Sequence, residues 1–95
     1  MIPVVWTAEA REDRLDIWNF IAAENRSAAN TLDLLFESAA TNLARLPAMG
    51  RPGKPAGTKE LFPTSQYRLV CQFNGDLVII LSILHTARRW PPASA

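Results

Sequence analysis

The sequence predicts an α+β domain in which a helical hairpin packs on one face of a small antiparallel or mixed sheet, in the order β-α-α-β-β-β. Three observations lead there. Asn74-Gly75 sits between two runs of β-formers, Tyr67 to Phe73 and Leu77 to Leu84, and Asn-Gly between such runs is the strongest short hairpin signal. Two stretches with helical apolar spacing precede it, joined by only a few residues at Asn25-Arg26. A short β-branched run, Ile2-Pro3-Val4-Val5-Trp6, opens the chain.

Pro3 cannot donate to a ladder, so the first run reads as an edge strand. Thr7 is placed to cap a helix from Ala8 to about Glu24, with Glu9, Glu12 and Asp13 at its positive end. Its apolar stripe is Leu15, Trp18, Ile21 and Ala22, widened by Ile17 and Phe20. Ser27 is the expected cap of a second helix, whose inward face is Leu32, Leu35, Phe36, Ala39, Ala40, Leu43 and Leu46, and which Pro47 and Gly50 end. So short a connection makes the helices antiparallel, and both stripes read as core.

Residues 49–57 are dense in Gly and Pro and read as a loop, without the Gly-Lys-Ser/Thr ending that would cradle a phosphate. Thr58 to Phe62 is a short strand leading to the hairpin. In the hairpin's first strand Tyr67, Leu69, Cys71 and Phe73 point one way and Arg68, Val70 and Gln72 the other. The second strand is apolar at every position from Leu77 to Leu84 except Ser82, which suits a central strand or one beside a partner site. A two-residue turn would set Arg68 opposite Leu81 to Ile83, near His85 and on a sheet face that the helices leave bare.

One domain spanning residues 1–95 follows from the length, and 48% apolar with 20% charged residues is ordinary for a folded chain. Net charge is only +1, yet its distribution is uneven. Acidic residues crowd the chain up to Glu37, whereas Arg51, Lys54, Lys59, Arg68, Arg88 and Arg89 make the second half basic. The single cysteine, Cys71, excludes an internal disulfide and reads as a buried thiol, which fits a cytoplasmic protein. Neither an export signal nor a span of about 18 apolar residues is present, so no membrane role is expected. No metal site is expected, because His85 and Cys71 stand 14 residues apart without a supporting cluster. No cofactor is implied either.

The candidate site residues are Arg68, His85, Arg88, Arg89 and Trp90. Arginine grips a phosphate bidentately at any working pH, and histidine moves a proton near neutrality. Arg68 reads equally as an ion-paired strand residue, and His85 as a capping or core histidine. Trp90 beside two guanidiniums suits stacking on a base or anchoring to a protein.

The strand entering Trp6-Thr7-Ala8-Glu9-Ala10, then Leu15-Asp16-Ile17-Trp18 with Ile21, Leu43 to Pro47, Gly50-Arg51-Pro52-Gly53, Tyr67-Arg68-Leu69-Val70 and Ile83-Leu84-His85-Thr86-Ala87-Arg88-Arg89-Trp90-Pro91 resemble toxins of the RelE/ParE superfamily of bacterial type II toxin–antitoxin systems. The likeness runs over nearly the whole chain, and its last third is the specific part. It implies a cytoplasmic toxin neutralised by a cognate, ParD-like antitoxin that wraps it with an acidic, amphipathic segment.

Within the superfamily the ending Leu84-His85-Thr86-Ala87-Arg88-Arg89-Trp90 is similar to the ParE-like branch, which implies poisoning of DNA gyrase by binding and not by catalysis. Arg88, Arg89 and Trp90 are then the contact segment, with Arg68 and His85 shaping the adjoining surface. The alternative, a RelE-like mRNA endonuclease acting on the ribosome, would use Arg68 at the scissile phosphate and His85 as general acid. Against it, the middle loop lacks a carboxylate base, and Trp90-Pro91 replaces the terminal tyrosine or histidine pattern of that branch. A second alternative is an inactive homologue that acts only in a repressor complex with its antitoxin; harmless expression of the folded protein alone would single it out.

Overall fold

The computed structural model describes residues 1–53 and 56–86. The elements are β1 (Val4–Trp6), α1 (Ala8–Ala22), α2 (Arg26–Arg45), β2 (Arg51–Pro52), β3 (Thr58–Leu61), β4 (Tyr67–Phe73) and β5 (Val78–His85). The strands form one mixed sheet in the order β1-β5-β4-β3-β2, with β1 parallel to β5 and every other pairing antiparallel. The expected α+β order holds, with one addition. The Gly/Pro-rich segment contributes the two-residue β2, an edge position that Pro52 can occupy because its missing donor faces away from the ladder.

Thr7 caps α1 as its sequence position demands, its Oγ1 accepting from the Ala10 amide at 3.0 Å. The cap of α2 is Asn25 and not Ser27: Asn25 Oδ1 accepts from the Ala28 amide at 3.0 Å, which moves Ser27 into the first turn. Gly50 has φ +108°, and a Cβ there would lie 2.9 Å from the Glu60 carbonyl oxygen, so the chain leaving α2 passes β3 only because this residue has no side chain.

Between the helices and the sheet, Phe36, Ala39, Ala40 and Leu43 of α2 and Ala10 of α1 meet Leu69, Cys71, Val78, Ile80 and Ile83. The second helical stripe is thus core as expected, although its margins Leu35 and Leu46 are 40% and 63% exposed. The first stripe is rotated from its expected position. Leu15 and Phe20 are 59% and 77% exposed, while Ala10, Arg14, Ile17 and Ile21 face inward at helical spacing.

Polar pairing sets that rotation. Arg14 donates to Asp33 at 2.6 Å and to Glu37 at 2.9 Å across the helical hairpin, and its guanidinium lies 4.9 Å from the centre of the Trp6 ring. Hydrogen bonding to Asp33, and to Glu37 after it, raises the Arg14 pKa from its already high ordinary value despite partial burial. Trp18 donates its indole N–H to Asn30 at 3.0 Å.

The hairpin departs from the two-residue turn. Phe73 pairs with Val78, so the loop holds Asn74 to Leu77, with Asn74 Oδ1 accepting from the Asp76 and Leu77 amides at 2.9 and 3.0 Å. Only Gly75 takes positive φ, at 96°, so Asn74 works through its side chain and not through the left-handed backbone of a type I′ turn. A bulge follows, because Val70 pairs with Ser82 but Cys71 with Ile80. Loop and bulge together shift the register so that Arg68 pairs with Leu84 and Tyr67 with His85.

Cys71 is buried, as its alternation predicts, and burial pushes its thiol up to about 11. A group that prefers its neutral form in the folded state contributes stability below the ordinary thiol value of 9.0, lost as the pH rises through about 11. Native protein at pH 8 is expected to resist alkylation by iodoacetamide, and urea-unfolded protein to react fully. Rapid labelling of the folded protein would contradict the burial.

Candidate functional site: the C-terminal end of the central strand

β5 is an interior strand, between β1 and β4, but β1 backs only its first half, through Val78 to Ile80. Beyond that point α1 takes over the edge. The Thr7 hydroxyl donates to the Leu81 carbonyl at 3.1 Å. Asp13 Oδ2 accepts from the Ser82 hydroxyl at 2.7 Å and from the Ile83 amide at 3.0 Å. A helix carboxylate thereby stands where a neighbouring strand's carbonyl would otherwise be, and it fixes the strand end that carries His85 and leads into residues 88–90.

His85 is exposed and lies 5.6 Å from the Tyr67 ring, centre to centre, in an edge arrangement, with Phe36 of α2 5.9 Å beyond that tyrosine. It therefore belongs to the helix-bearing face. Arg68, one residue along β4 from Tyr67, projects from the opposite face, where Glu60 Oε2 accepts from its Nη1 at 3.2 Å. Both side chains of that pair are largely withdrawn from water, at 14% and 17% exposure.

This overturns the expectation that Arg68 and His85 share a surface: two extra loop residues move each partner by two positions and change no face, whereas the one-residue bulge at Val70/Cys71 puts the two side chains on opposite sides of the sheet. The face opposite the helices is not bare either, since Val70 on it is 0% exposed. Arg88, Arg89 and Trp90 lie outside the described residues, as does Lys54.

An open groove of about 590 Å³ runs between α1 and the end of β5, with Asp16, Ile17 and Phe20 on one wall and Tyr67, Ile83 and His85 on the other. Sequence reasoning missed its α1 wall, because Asp13 read as charge at the positive end of the helix, Asp16 only as part of the family resemblance, and Phe20 as core. The available signal was polar Ser82 inside an otherwise apolar central strand, which calls for a polar partner from another element. Among the described residues no group of three or more His, Cys, Asp or Glu side chains could hold a metal ion, and no helix is long and apolar enough to cross a membrane.

Two helices on one face of a five-stranded mixed sheet is a fold shared with solved structures. The chain superposes on one described as "Chromosomal ParDE TA system from P. aeruginosa" with a TM-score of 0.79, covering 90% of this chain and 96% of that one at 19% identity. A "YoeB/ParE toxin from Agrobacterium tumefaciens" matches with a TM-score of 0.62, covering 88% and 98% at 17% identity. At such identities the likeness is one of fold. In sequence, residues 4–90 match the family model described as ParE toxin of type II toxin-antitoxin system, parDE. The chain is also 31% identical over 87 residues to "Putative toxin Y4kP" of Sinorhizobium fredii (strain NBRC 101917 / NGR234), covering 90% of each. The chain belongs to the ParE toxin family of type II toxin–antitoxin systems.

Proposed function

We propose that this toxin acts by binding DNA gyrase and holding its cleaved complex, that residues 88–90 supply the contact segment, and that a ParD-like antitoxin neutralises it. The observation that carries a binding activity over RNA cleavage is the separation of Arg68 from His85. A nuclease of the RelE kind needs its phosphate-gripping arginine and its general acid at one scissile bond, within hydrogen-bond reach of the reacting atoms. Here the two side chains leave opposite faces of the sheet, and the Arg68 guanidinium is engaged by Glu60 at 3.2 Å.

Binding to a large partner asks for less: a rigid strand end that presents a short basic and aromatic segment. The Asp13 and Thr7 contacts supply that rigidity. The test is purified gyrase with the purified protein. Loss of supercoiling with accumulation of cleaved DNA is the expected result, and ribosome-bound message should stay intact. Cut message that Arg68→Ala and His85→Ala each preserve would replace this reading with the endonuclease one.

A further inference from the structure

We propose that the groove between α1 and the end of β5 is a docking site for the antitoxin, and that it receives a lysine or arginine side chain flanked by apolar residues. The proposal rests on the antitoxin reading above and adds the site and the chemistry of its occupant.

The walls of the groove define that chemistry. On α1, Asp13, Asp16 and Phe20 fall at i, i+3 and i+7, so two carboxylates and an exposed aromatic ring form one stripe along the helix edge of the groove. Asp13 spends one oxygen on Ser82 and Ile83, whereas Asp16 is exposed at the rim. The floor is apolar, made by Ile17 and Ile83, and the rings of Phe20 and Tyr67 flank it.

Carboxylates above an apolar floor with aromatic walls match the two halves of a long cationic side chain. Its methylenes pack on the floor and its head meets the carboxylates and the ring faces. Phe20 is 77% exposed, an aromatic ring held in water on a helix that buries its other side, as expected of an anchor awaiting a partner. About 590 Å³ accommodates a few side chains of a peptide segment and not a folded domain.

Position selects the antitoxin over the toxin's target. His85 lines the groove and stands three residues before Arg88, so a segment seated there covers the base of the proposed contact segment. Occupancy of the groove thus competes with target engagement, as neutralisation requires. An antitoxin that is acidic overall has to reserve a cationic residue for this site, which makes the contact specific in register.

The experiment uses the toxin and its cognate ParD-like antitoxin, with affinity measured by competition titration. Asp16→Lys combined with Phe20→Ala should weaken antitoxin binding about 100-fold, because it reverses the rim charge and removes the anchor. Both side chains are exposed, so the melting temperature and gyrase inhibition should match those of the unaltered toxin. An affinity unchanged in the double variant overturns the proposal while leaving the antitoxin reading intact. Lost gyrase inhibition with full antitoxin binding also overturns it, since the occupant is then the target. Failure of the unaltered toxin to bind the antitoxin refutes the reading on which the proposal rests.

Discussion

Asp13→Ala is expected to lower the stability of this domain by about 2–4 kcal/mol, on the order of 10–20 °C in Tm for a domain of this size. The magnitude comes from what the substitution leaves behind. Ser82 and Ile83 are each 3% exposed, so neither the hydroxyl nor the amide that Asp13 accepts can turn to bulk water. Each stranded donor costs about 1–3 kcal/mol. β1 cannot substitute, because its pairing with β5 ends at Trp6 and Ile80. Asp13→Asn keeps a carbonyl oxygen in the same place and should lose roughly 1 kcal/mol or less, the difference between a charged and a neutral acceptor. Thermal unfolding of the three proteins checks this. Equal melting temperatures for Asp13→Ala and the unaltered chain would mean that the strand end is held by other contacts.

Ending the chain after Ala87 is expected to abolish gyrase inhibition while leaving the fold in place. Among the described residues the buried core is built from the helices and the sheet: Phe36 and Leu43 of α2 close on Leu69, Val78 and Ile80. Removing residues 88–95 leaves all of those side chains in the chain, and the truncated protein should still unfold cooperatively. Activity is another matter, because a few aromatic and arginine anchors supply most of an interface's energy, and Arg88, Arg89 and Trp90 are the anchors this segment offers. Gyrase supercoiling read beside a melting curve separates the two effects. A truncated protein that remains folded and potent would move the contact surface elsewhere, with the His85 end of the sheet and its groove the next place to test.

The register of β4 against β5 shows where sequence reasoning succeeded and where it stopped. Both strands, their antiparallel pairing and the interior place of β5 were legible, because an apolar run and an alternating run around Asn74-Gly75 leave few other arrangements. The face on which a particular side chain emerges was not. It depends on loop length and on the bulge opposite Val70 and Cys71, and either one changes every cross-strand neighbour beyond it. Arg68 and His85 were placed together on an assumed unbroken ladder, and the bulge parts them.

Helix α1 makes the same point with packing in place of pairing. Its existence and its Thr7 cap follow from local chemistry, yet its inward face does not, since Leu15 and Phe20 compete on hydrophobicity alone with Ala10 and Ile17. Arg14 bridging to Asp33 and Glu37, and Asp13 bonded to the β5 edge, settle that competition. Those partners lie 19 to 70 positions away along the chain.

By itself the sequence determined the element order, the helical hairpin over a mixed sheet, the buried thiol and the family, because periodicity, caps and a near full-length motif pattern are local or linear properties. Only the tertiary structure decided which faces are exposed, that Glu60 engages Arg68, and that a groove with acidic and aromatic walls opens beside His85. The physical reason is that orientation about a strand or helix axis is set by long-range hydrogen bonds and register, each small in energy and none of them visible in a stretch of neighbouring residues.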